Sequence, residues 1–275
     1  MIINTKIIAR ACDGLKIPCR FLDKSQNLLA VKIKNEWLYF VHTTTPFNSE
    51  SVARIAKDKD FTYELLKDVI RVPRTISFFD PQCDEDYKEY RTHKDVPGIV
   101  KEIGESFTCP VIIKRNSGAQ GENVHLCGNA GETANAVKEI FNKNSRTYDY
   151  IALAQERVDI KIEYRAIVFK KRVVLLYEKD ISSARFVGNL SPLHYENAKA
   201  ILIEDKAIIE KIQGFALPVF EKLDLVFGGL DIALGKDGAL WLLELNTHPG
   251  FSIFIKDNGE EAILNMYAAI LKTIC

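Results

Sequence analysis

GGLDIALGKDGALWLLELN, residues 228–246, reads as two strands joined by a tight turn. Asp237-Gly238 is a strong signal for a two-residue loop, because a type I′ turn needs positive φ at both central positions. With that pair as the loop, Lys236 faces Ala239, and counting outward sets Asp231 opposite Glu244. Side chains alternate along a strand, so Glu244 and Asn246 share one face and Trp241, Leu243 and Leu245 take the other. Three oxygen-bearing side chains therefore project from one face of one hairpin. Two carboxylates directly opposite each other destabilise a sheet unless something compensates them. Mg²⁺ is a suitable compensation, since it takes one or two carboxylates and completes its shell with water and substrate phosphate. On spacing alone a solvated hairpin face explains the pattern as well, and a longer loop would slip the register by one residue.

Upstream, Val111–Arg115 is a β-rich run that follows Pro110 and sets Lys114 on the face of Ile112. The loop Asn116-Ser117-Gly118-Ala119-Gln120-Gly121 comes at once. Small residues let backbone N–H groups approach a phosphate closely, and a lysine supplies a point charge. A plain flexible connection between strands fits the same residues. Neither the P-loop pattern nor the Rossmann glycine fingerprint occurs. In QERVDIKIEYRAIVF, 155–169, period two puts Glu163 and Arg165 on one face, readable as a cross-strand ion pair at a sheet surface or as part of a site. Lys59 taken alone reads as a surface lysine.

Around these motifs, Leu28–Ile33 and Trp37–Val41 read as a hairpin. SVARIAKDKDFTYELLKDVI (51–70) predicts two helices broken near Asp58–Asp60 and ended by Val72-Pro73. Thr75–Phe79 is a strand candidate, and the charged stretch 80–95 a solvated one. Pro97–Glu105 and Glu132–Phe141 predict short helices. Val124–Cys127, Tyr150–Gln155, Tyr164–Phe169 and Val173–Tyr177 are further β-rich runs. Asp205–Leu223 predicts a helix interrupted near Gly214 or Pro218, and residues 260–275 an amphipathic helix. MIINTKIIARACDG, at the start, is a short apolar stretch broken by Lys6 and Arg10, without the apolar core of a signal peptide.

Hydrophobic residues make up 47% and charged residues 27% of the 275, a globular composition rather than a disordered one. The 37 basic and 37 acidic residues cancel, which removes the electrostatic case for a nucleic-acid or membrane-surface protein. The cysteines, Cys12, Cys19, Cys83, Cys109, Cys127 and Cys275, include no C-x-x-C pair, so free thiols in a reducing compartment are expected. No apolar run approaches the roughly 18 residues of a membrane span. A cytoplasmic protein is the expectation.

In chain order, DKDFTYELL, VIIKRNSGAQGENV, ALAQERVDIKIEYRAIVF and GGLDIAL…LLELNTHPGF resemble the ATP-grasp superfamily, in the branch with ribosomal-protein glutamate ligases, cyanophycin synthetase and D-alanine–D-alanine ligases. The most specific element is E-x-N-x-x-P-G, Glu244 to Gly250, with Asp231 in a G-x-D context. The resemblance implies an α+β ATP-grasp fold of two lobes gripping ATP. Residues 1–50 would be a short N-terminal segment and 51–275 the ATP-grasp domain, with the lid lobe in 51–150 and the metal-binding lobe in 151–275. It implies phosphate contacts from Lys59 and Lys114, under a closing loop of Ser117, Gly118, Ala119, Gln120 and Gly121. Gln155, Glu156 and Val158 would read adenine at the hinge, and Glu163 would hold the ribose. Asp231, Glu244 and Asn246 would bind two Mg²⁺ ions, with Mn²⁺ as a substitute. Arg165, Lys179 and Asn189 would serve the reacting groups, Arg165 on the acyl phosphate.

The implied activity is an ADP-forming carboxylate–amine ligase for small-molecule or peptide substrates. Its rivals are an ATP-grasp kinase for a non-carboxylate substrate and a non-catalytic nucleotide-binding adaptor. Asn189-Leu190-Ser191-Pro192-Leu193-His194 stands where the glutamate-ligase branch has Asn-Leu-x-Arg-Gly-Gly. With only residues 1–50 before Ser51, the substrate pocket is expected to be open, or completed by a second copy or a partner protein.

Overall fold

Antiparallel pairing organises the three sheets of the computed structural model, which describes residues 3–118 and 121–275. The first sheet has the order β1 (Cys19–Phe21), β2 (Leu28–Ile33), β3 (Glu36–Val41). The second is built from β4 (Thr75–Phe79), β5 (Val111–Arg115), β6 (Val124–Cys127) and β7 (Ile151–Glu156), ordered β4-β7-β5-β6. The third contains β8 (Ile160–Phe169), β9 (Arg172–Asp180), β10 (Lys199–Leu202), β11 (Phe227–Gly235) and β12 (Leu240–Asn246), ordered β10-β9-β8-β11-β12.

The third sheet is covered on both faces, and period-two alternation explains how. Tyr164, Ala166 and Val168 of β8 and Leu230 and Ile232 of β11 face a core shared with α2 (Glu50–Lys57), α3 (Lys59–Leu66) and α6 (Lys206–Lys222). Ile167, Phe169, Leu175, Tyr177 and Phe227 face the opposite way, onto the first sheet, α1 (Asn4–Leu15), α7 (Ser252–Asn258) and α8 (Glu261–Ile274). The second sheet has its own core under α4 (Val96–Ser106) and α5 (Ala130–Ile140). One core therefore runs across residue 50, α2 packs on β12 of the third sheet, and α3 touches both α6 and β4 of the second sheet. Phe47 sits at that crossing, with its ring edge-on to Phe40, Phe169 and Phe227.

Two elements depart from the sequence expectation. The stretch broken by Lys6 and Arg10 is a helix, because Ile7, Ile8, Ala11 and Cys12 recur at i, i+1, i+4 and i+5 and bury one face against α8. The expected break near Gly214 or Pro218 does not occur: α6 runs through, with Pro218 inside it. A mid-helix proline costs about 3 kcal/mol. Ile212, Val219 and Phe220 are buried from the same helix, at about 1.5–3 kcal/mol each, and outweigh it. Asp58 breaks α2 from α3 as expected, and its side chain accepts from Phe61 N–H as the cap of α3. Among the described residues no helix is long and apolar enough to cross a membrane.

Candidate active site

The hairpin reaches the expected pairing by an unexpected route. Its loop has three residues, Lys236-Asp237-Gly238, with Gly238 at φ +81 and Gly235 N–H donating to Ala239 O at 2.8 Å. Lys236 therefore does not face Ala239, and Leu234 pairs with Leu240. A bulge at Leu243 then shifts the register back, so Asp231 does lie opposite Glu244. The bulge also corrects the expected apolar face. Leu242 and Leu245, not Trp241, Leu243 and Leu245, enter the core together. The extra residue between them reverses the alternation.

Beside the hairpin, β8 continues the face of Phe169 and Ile167 with Arg165 and then Glu163, so an apolar face becomes a charged one partway along the strand. Register sets Asp231 opposite Arg165 and Tyr164 opposite Glu178, which brings Lys179 of β9 to Glu163. Arg165 binds Asp231 in two-point fashion, Nη2 to Oδ2 at 2.8 Å and Nε to Oδ1. Lys179 Nζ lies 2.9 Å from Asp231 Oδ2 and pairs also with Glu163. The carboxylate facing Arg165 is therefore Asp231 of β11 and not Glu163 of its own strand. Lys179, Glu163 and Asp231 are all buried. Burial works to raise the Asp231 carboxyl, but Arg165 and Lys179 override it and hold it at about 2. Burial pushes Glu163 up, against Lys179.

A cleft lies between α2–α3, the second sheet and β12, with about 420 Å³ of space counted out to open solvent. Lys59, Lys114, Thr75, Gln155 and Glu244 line it. Lys59 Nζ sits 3.0 Å from Glu244 Oε1. Lys114 is buried, and the hydrogen bond described for it goes to a neutral group, Gln155 Oε1, at 3.0 Å. Gln155 is itself oriented by donating to Thr75 Oγ1 at 2.9 Å. Burial first, and then Lys59, bring Lys114 down to about 8, with Glu244 working against them. A buried ammonium beside a second cation is a receptor for an anion.

The glycine loop is tied down at its start. Lys59 Nζ donates to Gly118 O, and the Asn116 side chain accepts from Asp60 N–H at the start of α3. Ser117 N–H and Oγ–H both donate to buried Asp149, at 2.8 and 2.7 Å. Ala119 and Gln120 lie outside the described residues. At the far end Gly121 adopts φ +70, and a Cβ there would fall within 3.0 Å of Asn189 Cγ and Ser191 Cβ. Gly121→Ala is thus both strained and obstructed. On the closing role that the sequence resemblance implies for this loop, it is expected to raise the KM for ATP about tenfold or more and to lower the melting temperature by about 2–4 °C per kcal/mol of strain, as judged by steady-state kinetics beside calorimetry. A variant with an unchanged KM would show that the contact between Gly121 and Asn189 is dispensable.

The other sequence-derived positions are placed as follows. Glu156 exchanges hydrogen bonds with the Arg74 backbone, its side chain accepting at 2.6 Å, so its carboxylate is already engaged. Val158 is half-buried and is not among the residues lining the cleft. Glu163 is engaged by Lys179. Asn189 Oδ1 accepts from Ser191 N–H, and Asn246 Oδ1 from His248 N–H, both at 2.8 Å. Asp231, Glu244 and Asn246 carry the oxygen donors that Mg²⁺ takes, with Asp231 paired to Arg165 and Lys179 and Glu244 to Lys59. Among the described residues no group of three or more His, Cys, Asp or Glu could hold a metal ion. An ion here would draw the rest of its shell from Asn246, water and substrate phosphate. Asp149 and Thr75, a loop residue and a strand-end residue, carry no sequence signal for their roles, which are visible only through the non-local partners Ser117 and Gln155.

The sequence model of the RimK-like ATP-grasp domain matches residues 86–270. A D-alanine–D-alanine ligase of Acetivibrio thermocellus is 25% identical over 178 residues, which is 62% of this chain and 46% of that protein. The chain thus spans about half the length of the curated relative it matches. Among solved structures, the VanG D-Ala:D-Ser ligase of Enterococcus faecalis superposes with a TM-score of 0.59 at 17% identity, over 84% of this chain and 64% of that one. The ATP-grasp ligase PsnB, complexed with a minimal precursor, superposes with a TM-score of 0.53 at 18% identity, over 82% and 63%. At these identities the structural likeness speaks for the fold.

Proposed function

Because the chain belongs to the RimK-like ATP-grasp family, we propose that it is a Mg-ATP-dependent ligase that joins a carboxylate to an amine, acting in a reducing compartment such as the cytoplasm. The observation that carries this reading is Lys114, a buried cation with a neutral hydrogen-bond partner and Lys59 close by, lining a cleft between two sheets. The phosphates of ATP would bind there, beneath the loop 117–121. A carboxylate oxygen of the acid attacks the γ-phosphorus and ADP leaves, forming an acyl phosphate. The amine nitrogen then attacks the acyl carbon, the bond from carbon to the phosphate oxygen breaks, and the amine proton passes to solvent. Asp231, Glu244 and Asn246 would hold Mg²⁺, which would neutralise charge on the phosphates. Arg165 would stabilise the developing oxyanion, and Lys179 would keep Asp231 and Glu163 aligned with it.

Phosphate release that requires both ATP and an added amine tests the reading. ADP formation without phosphate release would instead indicate a kinase, and absence of Mg-dependent ATP binding an adaptor. Lys114 provides a second check. With its free-state value near 8 and a bound polyanion restoring its charge, nucleotide binding is expected to take up about half a proton at pH 8. Calorimetric titration in two buffers of different ionisation enthalpy measures this. Lys114→Ala should abolish the uptake and weaken binding, while Lys170→Ala, in the exposed turn between β8 and β9, should do neither. Buffer-independent heats in the parent protein would contradict the assignment.

A further inference from the structure

The pairing of β5 with β7 ends at Arg115 opposite Ala152, and one more backbone bond follows, Asn116 N–H to Ile151 O at 3.2 Å. Because β7 starts at Ile151, the ladder has no strand carbonyl left for Ser117. The Asp149 side chain supplies the acceptor in its place. Its Oδ2 accepts from Ser117 N–H at 2.8 Å and from Ser117 Oγ–H at 2.7 Å, while Oδ1 accepts from Ile151 N–H at 3.1 Å. The Asp149 backbone is fixed in turn, its N–H donating to Ile140 O at the end of α5 at 3.0 Å. Asp149 is only 5% exposed, whereas Ser117 faces solvent. Burying a carboxylate is costly, and hydrogen bonds to a charged group are the strong ones. Two of these three go to one residue of a loop, so they hold that loop in place and not the core.

Ser117 stands between the two carbonyls that hold Lys59. Lys59 Nζ donates to Asn116 O at 3.4 Å and to Gly118 O, and it reaches Glu244 Oε1 at 3.0 Å. The Asn116 side chain accepts from Asp60 N–H at 2.9 Å, so the same segment also grips the backbone beside Lys59. A lysine ammonium sits on a flexible four-carbon stem, and its position is set by what it donates to. Asp149 thus braces residues 116–118 from the side of the second sheet, and those residues hold the ammonium at the cleft.

We infer that Asp149 is a positioning residue for the nucleotide: through Ser117 it fixes the carbonyls of Asn116 and Gly118, and through them the Lys59 ammonium that meets the phosphates. The inference rests on the reading of the cleft as an ATP site. It gives the Ser117 hydroxyl a definite part, as a brace on Asp149 and not as a phosphate ligand. Holding the ammonium before the nucleotide arrives removes an ordering cost from binding, which is how a residue that touches no ligand contributes affinity.

Calorimetric titration of Mg-ATP and of AMP into the full chain tests it, since both carry adenine and ribose and only ATP carries the β- and γ-phosphates. Asp149→Asn leaves one oxygen where two are used. It is expected to weaken Mg-ATP about tenfold or more while AMP changes less than about twofold. Ser117→Ala should weaken Mg-ATP in the same direction, and Ser117→Thr should keep the parent affinity. Ser117→Ala added to Asp149→Asn should cost nothing further, because the two residues act as one unit. Equal losses for ATP and AMP would mean a general loosening of the lobe and overturn the inference. Additive losses would put the Ser117 hydroxyl on the nucleotide itself and overturn it too. Should Asp149→Asn not fold, Ser117→Ala against Ser117→Thr still decides, and equal ATP affinities of those two overturn the brace. A parent that binds neither nucleotide overturns the reading of the cleft instead. The brace is then judged by hydrogen exchange, where the Ser117 amide should lose protection in Ser117→Ala relative to Ser117→Thr at position 117, and equal protection overturns it.

Discussion

Asp231→Asn is expected to lower the melting temperature by about 10 °C and to abolish Mg-dependent turnover. Asp231 is the shared partner of Arg165 and Lys179 in a buried cluster. Removing one partner of a buried pair costs about 3–5 kcal/mol, because the cations left behind are neither solvated nor compensated. At about 2–4 °C per kcal/mol for a chain approaching this size, that is a shift of roughly 6–20 °C. Glu163 remains to face two cations, and the asparagine oxygen cannot carry the lost charge. The linkage has a definite sign. The Asp231 carboxyl is held at about 2 in the folded chain, below its unfolded value. Its contribution is therefore fully present above about pH 4 and is lost as pH falls through about 2. The gap in melting temperature between parent and variant should be constant from pH 7 to pH 5 and narrow below pH 4. A difference under about 2 °C at pH 7 would mean that desolvation cancels the pairing in the parent.

The second large effect is expected at Arg165. Arg165→Lys should lower kcat by about 10²–10³ while changing ATP affinity less than about threefold, since a lost donor to a developing oxyanion acts on the transition state. A guanidinium can hold Asp231 through two of its nitrogens and still present further N–H groups outward, whereas an ammonium is a single point without that fork. Lys179 already occupies the neighbouring position on Asp231, so a lysine at 165 would not duplicate the lost geometry. Pre-steady-state phosphate release separates the two roles open to Arg165. Near-normal turnover with a depressed melting temperature would leave it as scaffold for Asp231.

The hairpin shows how sequence reading reached a pairing through two errors that cancel. The Asp-Gly pair predicts a two-residue loop where three residues turn, and the bulge at Leu243 restores the register between Asp231 and Glu244. Turn chemistry is local and Gly238 was recognisable, but a bulge depends on the partner strand and on the core that Leu242 and Leu245 both enter. The break at Asp58 was legible because a capping aspartate is a local signal. The helix of residues 4–15 was not, because two charged residues on its open side hide a narrow buried stripe that has meaning only once α8 covers it. Asp149 illustrates a third limit. Nothing in its neighbours marks it as the anchor of Ser117, 32 positions away in the chain.

By itself the sequence determined the residue types and the faces: that Glu163 and Arg165 share one side of a strand, that Glu244 and Asn246 share another, and that the ordered motifs resemble the ATP-grasp fold. The shared faces are properties of a period of two within single strands, and no neighbour is needed to read them; the fold came from the likeness of the motifs in order to a known family. Only the tertiary structure decided who pairs with whom. Arg165 meets Asp231 because β11 lies beside β8, Lys179 joins them because β9 lies on its other side, and Lys59 reaches Glu244 because α2, which leads directly into α3, packs on the edge strand β12. The charge state of Lys114 is also a tertiary property. Its lowered value comes from burial between sheets that are far apart in sequence, and desolvation depends on everything that covers a group, whatever stands beside it in the chain.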